Sequence, residues 1–176
     1  MAVDTKLTKT PYRKEKYTEK QLTELARCAN DPKYFMREHC YIQHPTQGRL
    51  KFDLYDFQDE LVDVYHKNRY SISMLARQMG KSTCAAGYLL WYAMFNPDQT
   101  ILVAAHKYAG ASEIMQRVRF AYETLPDFIR AGVTSYNKGS LEFDNGSRII
   151  AQSTTENTGR GLSISLVYLD EFAFVR

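Results

Sequence analysis

Gly80-Lys81-Ser82 sits where an apolar run over 71–76 gives way, across a short loop at 77–80, to a second apolar run from Lys81 onward. The spacing predicts a strand, a tight loop and a helix in that order. A bare Gly-Lys-Ser is a weak pattern, and a helix start that happens to carry Lys and Ser is its plain alternative. Its context supplies the specificity. A strand ending in a tight loop at a helix mouth aims several backbone N–H groups, and the positive end of the helix dipole, at one point. That point suits a phosphate. Gln78, Met79, Gly80, Lys81, Ser82 and Thr83 would form the cradle, with Lys81 reaching the β- and γ-phosphates of ATP and the Ser82 hydroxyl ligating Mg²⁺. The usual pattern G-x-x-x-x-G-K-S/T is not fully met: Leu75 takes the first glycine position, and Arg77 and Gln78 stand where small residues are common. The loop is a variant form.

A second cluster of chemistry lies nearly 90 residues downstream, where an apolar run over 164–169 ends in Asp170-Glu171. Such a strand would carry both carboxylates to the C-terminal edge of a parallel sheet, where ligands of α/β proteins bind. Asp170 can then hold a Mg²⁺ shell, while Glu171 can polarise a water for attack on a γ-phosphate. A strand ending in two acids is common by itself. Following the loop in this order, it is less easily put down to chance.

Positioning these residues takes an alternating chain. Thr18 and Gln21 form a capping box that opens a helix with Leu22, Leu25, Ala26 and Ala29 on one face. Asp31-Pro32 reads as N-cap and first position of a short helix through about His39. Residues 40–54 read as a loop broken by Pro45 and Gly48, and a helix follows over about 56–67 with Phe57, Leu61, Val64 and Tyr65 facing inward. After the strand at 71–76, the helix over 81–95 is apolar nearly all round and therefore buried. The run 100–105 reads as a buried parallel strand. An amphipathic helix over 111–125 comes next, then short strands near 133–136, 140–143 and 148–152. Asn145-Gly146 is a strong hairpin signal between the last two. The expected fold class is α/β: a mostly parallel sheet of the P-loop NTPase kind flanked by helices, with a helical N-terminal segment and a small antiparallel hairpin addition.

Composition bounds the rest. The 176 residues are 44% hydrophobic and 24% charged, an ordinary globular balance. The net charge of +3 comes from residues 1–20, which hold six Lys/Arg against three acids and leave 17 of each sign elsewhere. Such an arm could touch nucleic acid, although a solvated tail is the plainer reading. Three cysteines far apart imply no disulfide framework, and a reducing compartment fits. His39, Cys40 and His44 cluster without a C-x-x-C, so four ligands with metal spacing are absent and no zinc site is expected. The longest apolar run is too short to span a bilayer, and no signal peptide opens the chain.

Taken together the motifs resemble those of large terminase subunits from T4-like tailed phages. The resemblance is carried by Arg77-Gln78-Met79-Gly80-Lys81-Ser82, Ala104-Ala105-His106-Lys107, Leu125-Pro126-Asp127-Phe128, Asn137-Lys138-Gly139-Ser140, Asp144-Asn145-Gly146-Ser147 and Tyr168-Leu169-Asp170-Glu171-Phe172-Ala173-Phe174. It covers about residue 30 to the C-terminus. It implies an ATPase motor that drives double-stranded DNA packaging into a procapsid, using ATP and Mg²⁺ in the cytoplasm of an infected bacterial host. It also implies portal protein, a small terminase subunit and copies of the chain in a ring as partners, and no membrane. By the same resemblance Gln58 reads adenine, Arg77 senses the γ-phosphate and Arg160 acts as a finger on a neighbouring subunit's nucleotide. Tyr55 and Phe57 would flank the base, with core packing the plainer role for both.

The resemblance divides the chain into a basic flexible arm (1–17), a helical subdomain (18–54) and a truncated ATPase core (55–176). The chain stops five residues after Glu171. In the resembled class, a strand between the phosphate-loop strand and the Asp-Glu strand, the segment coupling hydrolysis to movement and a nuclease domain all come later. A shortened or split reading frame is therefore expected, with an incomplete sheet whose unpaired backbone groups cost about 1–3 kcal/mol each. Two alternatives stay open. One is a helicase-like translocase, whose loop is normally richer in glycine. The other is a non-hydrolysing nucleotide-binding or assembly fragment that needs a second chain.

Overall fold

Two capped helices open the structure, a computed structural model that describes residues 7–44 and 46–171. In α1 (Glu19–Asn30) the Thr18 hydroxyl accepts from the Gln21 N–H at 3.3 Å, while Gln21 Oε1 accepts from the Thr18 N–H at 2.9 Å. The capping box is therefore present. In α2 (Pro32–His39) Asp31 accepts from the N–H groups of Lys33 and Tyr34, with proline at the first position. The inward face of α1 differs from the expected one. Gln21, Glu24, Leu25 and Cys28 turn inward, whereas Leu22, Ala26 and Ala29 are exposed. Apolar content alone misplaced that stripe, because Glu24 finds partners inside.

The expected loop at 40–54 contains a small antiparallel hairpin, β1 (Tyr41–His44) with β2 (Gly48–Lys51). Its strands are too short and polar to show a period. Gly48, at φ +73°, opens the second strand, and the Arg49 guanidinium lies 3.8 Å from the Tyr41 ring centroid. Pro45, the other expected breaker, lies outside the described residues. Helix α3 (Asp56–Lys67) follows with the expected bounds, but it buries Gln58, Leu61 and Val62 while Val64 is exposed.

Helix α4 (Lys81–Phe95) is the centre of the core. Ten of its residues are buried, from Cys84 to Met94, as its all-round apolar character predicts. It packs against α2 and α3 on one side and on α5 (Tyr108–Thr124) and the sheet on the other. Trp91 Nε1 donates to the Cys28 carbonyl at 2.7 Å, fastening α4 to α1. At the far end, the Asn145 amide donates to the carbonyls of Ala93 and Met94 and satisfies the helix terminus.

The main sheet has the order β4-β5-β6-β3-β7, from β3 (Thr100–Ala105), β4 (Val133–Tyr136), β5 (Ser140–Phe143), β6 (Arg148–Ser153) and β7 (Leu166–Asp170). Strand β3 is parallel to β6 and β7, while β4-β5-β6 is an antiparallel meander. The sheet is thus mixed rather than mostly parallel, because the expected hairpin addition is hydrogen-bonded into it through β6. Ile101, Val103 and Ala105 join the helix-covered core, together with Ile149, Ala151 and Tyr168. On the opposite face Leu102 and Ala104 are also buried, but Val167 and Leu169 are 49% and 41% exposed.

The strand expected at 71–76 does not form. Ile72 and Met74 are 96% and 94% exposed, and the segment makes no backbone hydrogen bond among the described residues. The reason is non-local. A parallel strand exists only beside a neighbour, and among the described residues β7 pairs with β3 alone.

Of the basic arm, residues 1–6 lie outside the described residues. The stretch from Lys9 to Glu15 is anchored at points, although Thr10, Tyr12, Arg13 and Lys14 are exposed. Lys9 is 7% exposed, pairs with Glu15 at 2.7 Å and donates to the Asp127 carbonyl at 3.1 Å, while its own carbonyl accepts from Val133. No helix among the described residues is long and apolar enough to cross a membrane.

Candidate functional site

The site forms where the mouth of α4 meets the end of β7. Gly80 adopts φ +71° and ψ 15°, turning the loop into the helix. A Cβ there would lie 2.7 Å from Gln58 Nε2, so glycine serves both the turn and the close approach. Gln78, at φ +65°, is a second left-handed residue in the loop, an uncommon conformation for a residue with a side chain. The first backbone bond of the helix runs from the Cys84 N–H to the Gly80 carbonyl at 2.9 Å. The N–H groups of Lys81, Ser82 and Thr83 therefore have no partner inside the helix and make it an anion-favouring terminus.

Gln58 holds this loop from behind. It is 3% exposed; its Oε1 accepts from the Tyr55 N–H and its Nε2 donates to the Met79 carbonyl, both at 3.2 Å. One carboxamide thus ties the start of α3 to the loop. Next to it, burial pushes the Cys84 thiol up to about 12, so that thiol stays protonated and inert. The rings of Tyr55 and Phe57 stack on one another at 5.7 Å and 12°, with Tyr55 68% exposed. Tyr55 is therefore not a core residue.

Lys81 Nζ lies 2.9 Å from Asp170 Oδ1. Helix mouth and strand end, far apart in sequence, meet at this pair. Tyr168, two residues earlier on the same face of β7, donates its hydroxyl to the same Asp170 oxygen at 3.3 Å. Burial, and then the Asp170 charge, push the Tyr168 phenol up, so it remains a donor near neutral pH. Tyr65 on α3 is raised by its burial too, with Cys84 and Asp170 adding to the effect. The sequence marks Tyr65 only as an inward-facing helix residue and Tyr168 only as part of a resemblance motif, with no site role for either. Strand alternation, which puts Tyr168 on the face of Asp170, is a usable signal for the one; the distant helix of Tyr65 offers none for the other.

The remaining expected residues are more open. Arg77 is exposed in the loop, and Glu171 is exposed beyond β7 at φ +50°. Arg160 is exposed between Gly159 (φ +75°) and Gly161 (φ +79°), in a turn where the Thr158 hydroxyl donates to the Ser153 carbonyl and the Gln152 carboxamide accepts from the Gly159 N–H. A Cβ at Gly159 would meet Ile164 at 2.8 Å and Leu102 at 3.4 Å, which places this turn over the helix-free face of the sheet. No contact links Arg160 to Lys81 or Asp170 among the described residues. Phe172, Ala173 and Phe174 lie outside them.

The geometry assembles an anion-favouring helix mouth, a lysine, a hydroxyl and a carboxylate. Mg²⁺ binds to proteins through one or two oxygen ligands, the rest coming from water and phosphate. Ser82 and Asp170 fit that requirement.

Residues 72–176 match the family described as terminase large subunit, T4likevirus-type, N-terminal. Among solved structures, the chain is similar to the large terminase of bacteriophage HK97, with a TM-score of 0.67 and 24% sequence identity. The match covers 84% of this chain and 32% of that one, so the chain spans about a third of its length. At that identity the likeness speaks for the fold.

Proposed function

Because this chain belongs to the T4-like type of the terminase large-subunit family, as part of its N-terminal region, we propose that it binds and hydrolyses Mg-ATP to drive double-stranded DNA packaging. The observation that carries this reading is the 2.9 Å approach of Lys81 to Asp170 at the mouth of α4. A cation and a carboxylate converge where a triphosphate would be held.

In this mechanism the N–H groups of residues 78–83 and the dipole of α4 hold the phosphates. Lys81 leaves Asp170 for the β- and γ-phosphates, and Arg77 reports the presence of the γ-phosphate. Ser82 and Asp170 would hold the magnesium ion, which neutralises charge on the phosphate oxygens when bound. Glu171 takes a proton from the attacking water. Gln58 connects the adenine side to the loop, and Tyr55 with Phe57 offers an aromatic surface to the base. Arg160 completes the site of a neighbouring copy, where such a finger contributes about 10³–10⁵ in rate. Its exposure between two glycines suits delivery in trans. The partners that go with this reading are DNA, portal protein, the small terminase subunit and further copies in a ring, in the host cytoplasm.

Equilibrium binding of a fluorescent ATP analogue, paired with single-turnover phosphate release, tests the proposal. Lys81→Ala should remove nucleotide affinity, whereas Glu171→Ala should keep ATP and stop cleavage. Wild-type affinity in the Lys81→Ala chain would overturn it. The unpaired edge of β7 favours a second reading, in which this chain binds nucleotide but turns it over only when joined to further polypeptide. Single-turnover hydrolysis with and without that polypeptide separates the two.

A further inference from the structure

Glu24 and Cys28 stand one turn apart on the inward face of α1, and His39 closes α2 as it folds back beside them. A carboxylate oxygen of Glu24, Cys28 Sγ and a ring nitrogen of His39 all lie within 4.8 Å of one another. Glu24 Oε1 and His39 Nε2 are 2.7 Å apart, and the Tyr34 hydroxyl donates to that same oxygen at 2.8 Å. Cys28 is fully buried, and its thiol is free of any disulfide. Its sulfur sits within reach of a polar pair.

Residues outside the group fix the backbone that carries it. Trp91 clamps the Cys28 carbonyl at 2.7 Å, and Asp31 caps α2 through two N–H groups, setting the corner between the helices. Tyr34 occupies the place of an outer partner that orients a ligating carboxylate. Glu24 faces inward beside Cys28, held there by Tyr34 and His39, while Leu22 is turned out to solvent.

We propose that Glu24, Cys28 and His39 form a binding site for one divalent cation of the zinc class. Sulfur, imidazole nitrogen and carboxylate oxygen are the donor set that such ions take, in tetrahedral geometry. A thiolate and a carboxylate together neutralise a double positive charge. The fourth position falls to a water, reached from the side where the Glu24 and His39 side chains are 24% and 13% exposed. Binding replaces the Glu24–His39 hydrogen bond, and the thiol proton leaves to solvent. The ion would pin α1 to α2. Sequence spacing concealed the site because the ligands come from two helices and one of them is a glutamate.

Cobalt(II), titrated into the tag-free chain, serves as a zinc-class probe with a spectrum. We expect one equivalent to give an intense near-ultraviolet thiolate-to-metal band with tetrahedral visible bands, both erased by added zinc. Cys28→Ser should abolish the near-ultraviolet band. Glu24→Gln and His39→Asn should each weaken cobalt binding at least tenfold. A wild-type chain without the band overturns the proposal, as does a band that survives Cys28→Ser, which would move the thiolate to Cys40 or Cys84. Should Cys28→Ser fail to fold, the two milder variants decide: unchanged cobalt affinity in both refutes the site.

Discussion

Gln58 shows how much depends on a single carboxamide. Its two ends hold Tyr55 and Met79, so Gln58→Ala takes a partner from the Tyr55 N–H and from the Met79 carbonyl. Both residues are exposed enough for water to reach these groups, so chemical denaturation should register a loss of about 0.5–1.5 kcal/mol for each bond, and the slackened loop should bind Mg-ATP more weakly. Gly80→Ala meets both a left-handed backbone and the Gln58 amide. It should cost at least about 1–2 kcal/mol by the same measurement. Acid sensitivity has its own residue. The hydrogen bond from Lys9 holds the Glu15 carboxyl below its usual 4.5. A depressed acid stabilises the fold above the unfolded value, and the contribution fades as pH falls through the folded one. Glu15→Gln should therefore be less stable than wild type near pH 7, and the gap should close as pH falls below 4.5 and through the lowered folded value. A gap that widened on acidification would refute the assignment.

Elements with local signals were legible in the sequence. The bounds of α3, α4 and β3 follow from apolar runs closed by recognisable ends, and the Thr18 and Asp31 caps sit where side-chain chemistry puts them. Helix α5 begins at Tyr108 rather than near 111, because Lys107 offers no capping side chain for the eye to catch. Segment 71–76 carries a strand's composition, yet strandness belongs to a pair, and its partner is not written in the segment. Of the site, Lys81 and Asp170 were legible because each ends an element with a strong pattern. Tyr65 and the Glu24–Cys28–His39 group depend on how helices cross, which spacing does not encode. The Asn145 turn illustrates coupling between elements: Asn145→Ala removes both donors from the end of α4. We expect thermal unfolding to shift downward by the equivalent of about 1–3 kcal/mol; an unshifted transition would show that water replaces the amide.

The molecule as a whole covers one face of its sheet with helices and leaves the other thinly covered. Val167 and Leu169 leave apolar side chains in water on β7, whose outer edge pairs with no strand among the described residues, and Ile72 and Met74 are exposed near the loop. Such an edge templates pairing with another chain. At raised concentration the protein should self-associate in sedimentation velocity. Val167→Lys combined with Leu169→Lys should suppress that with little loss of fold, since both side chains are already half in solvent. Association that persists in the double variant would place the contact elsewhere. Helix α4 brings these scales together. Its fifteen residues make a rod about 22 Å long, with the loop at one tip, the Asn145 turn at the other and Trp91 gripping α1 between. A stiff member held at three points cannot yield at one of them alone. Any nudge that a ligand gives to the tip at Lys81 would arrive, undamped by bending, at the corner that holds Cys28 and at the turn that joins β5 to β6.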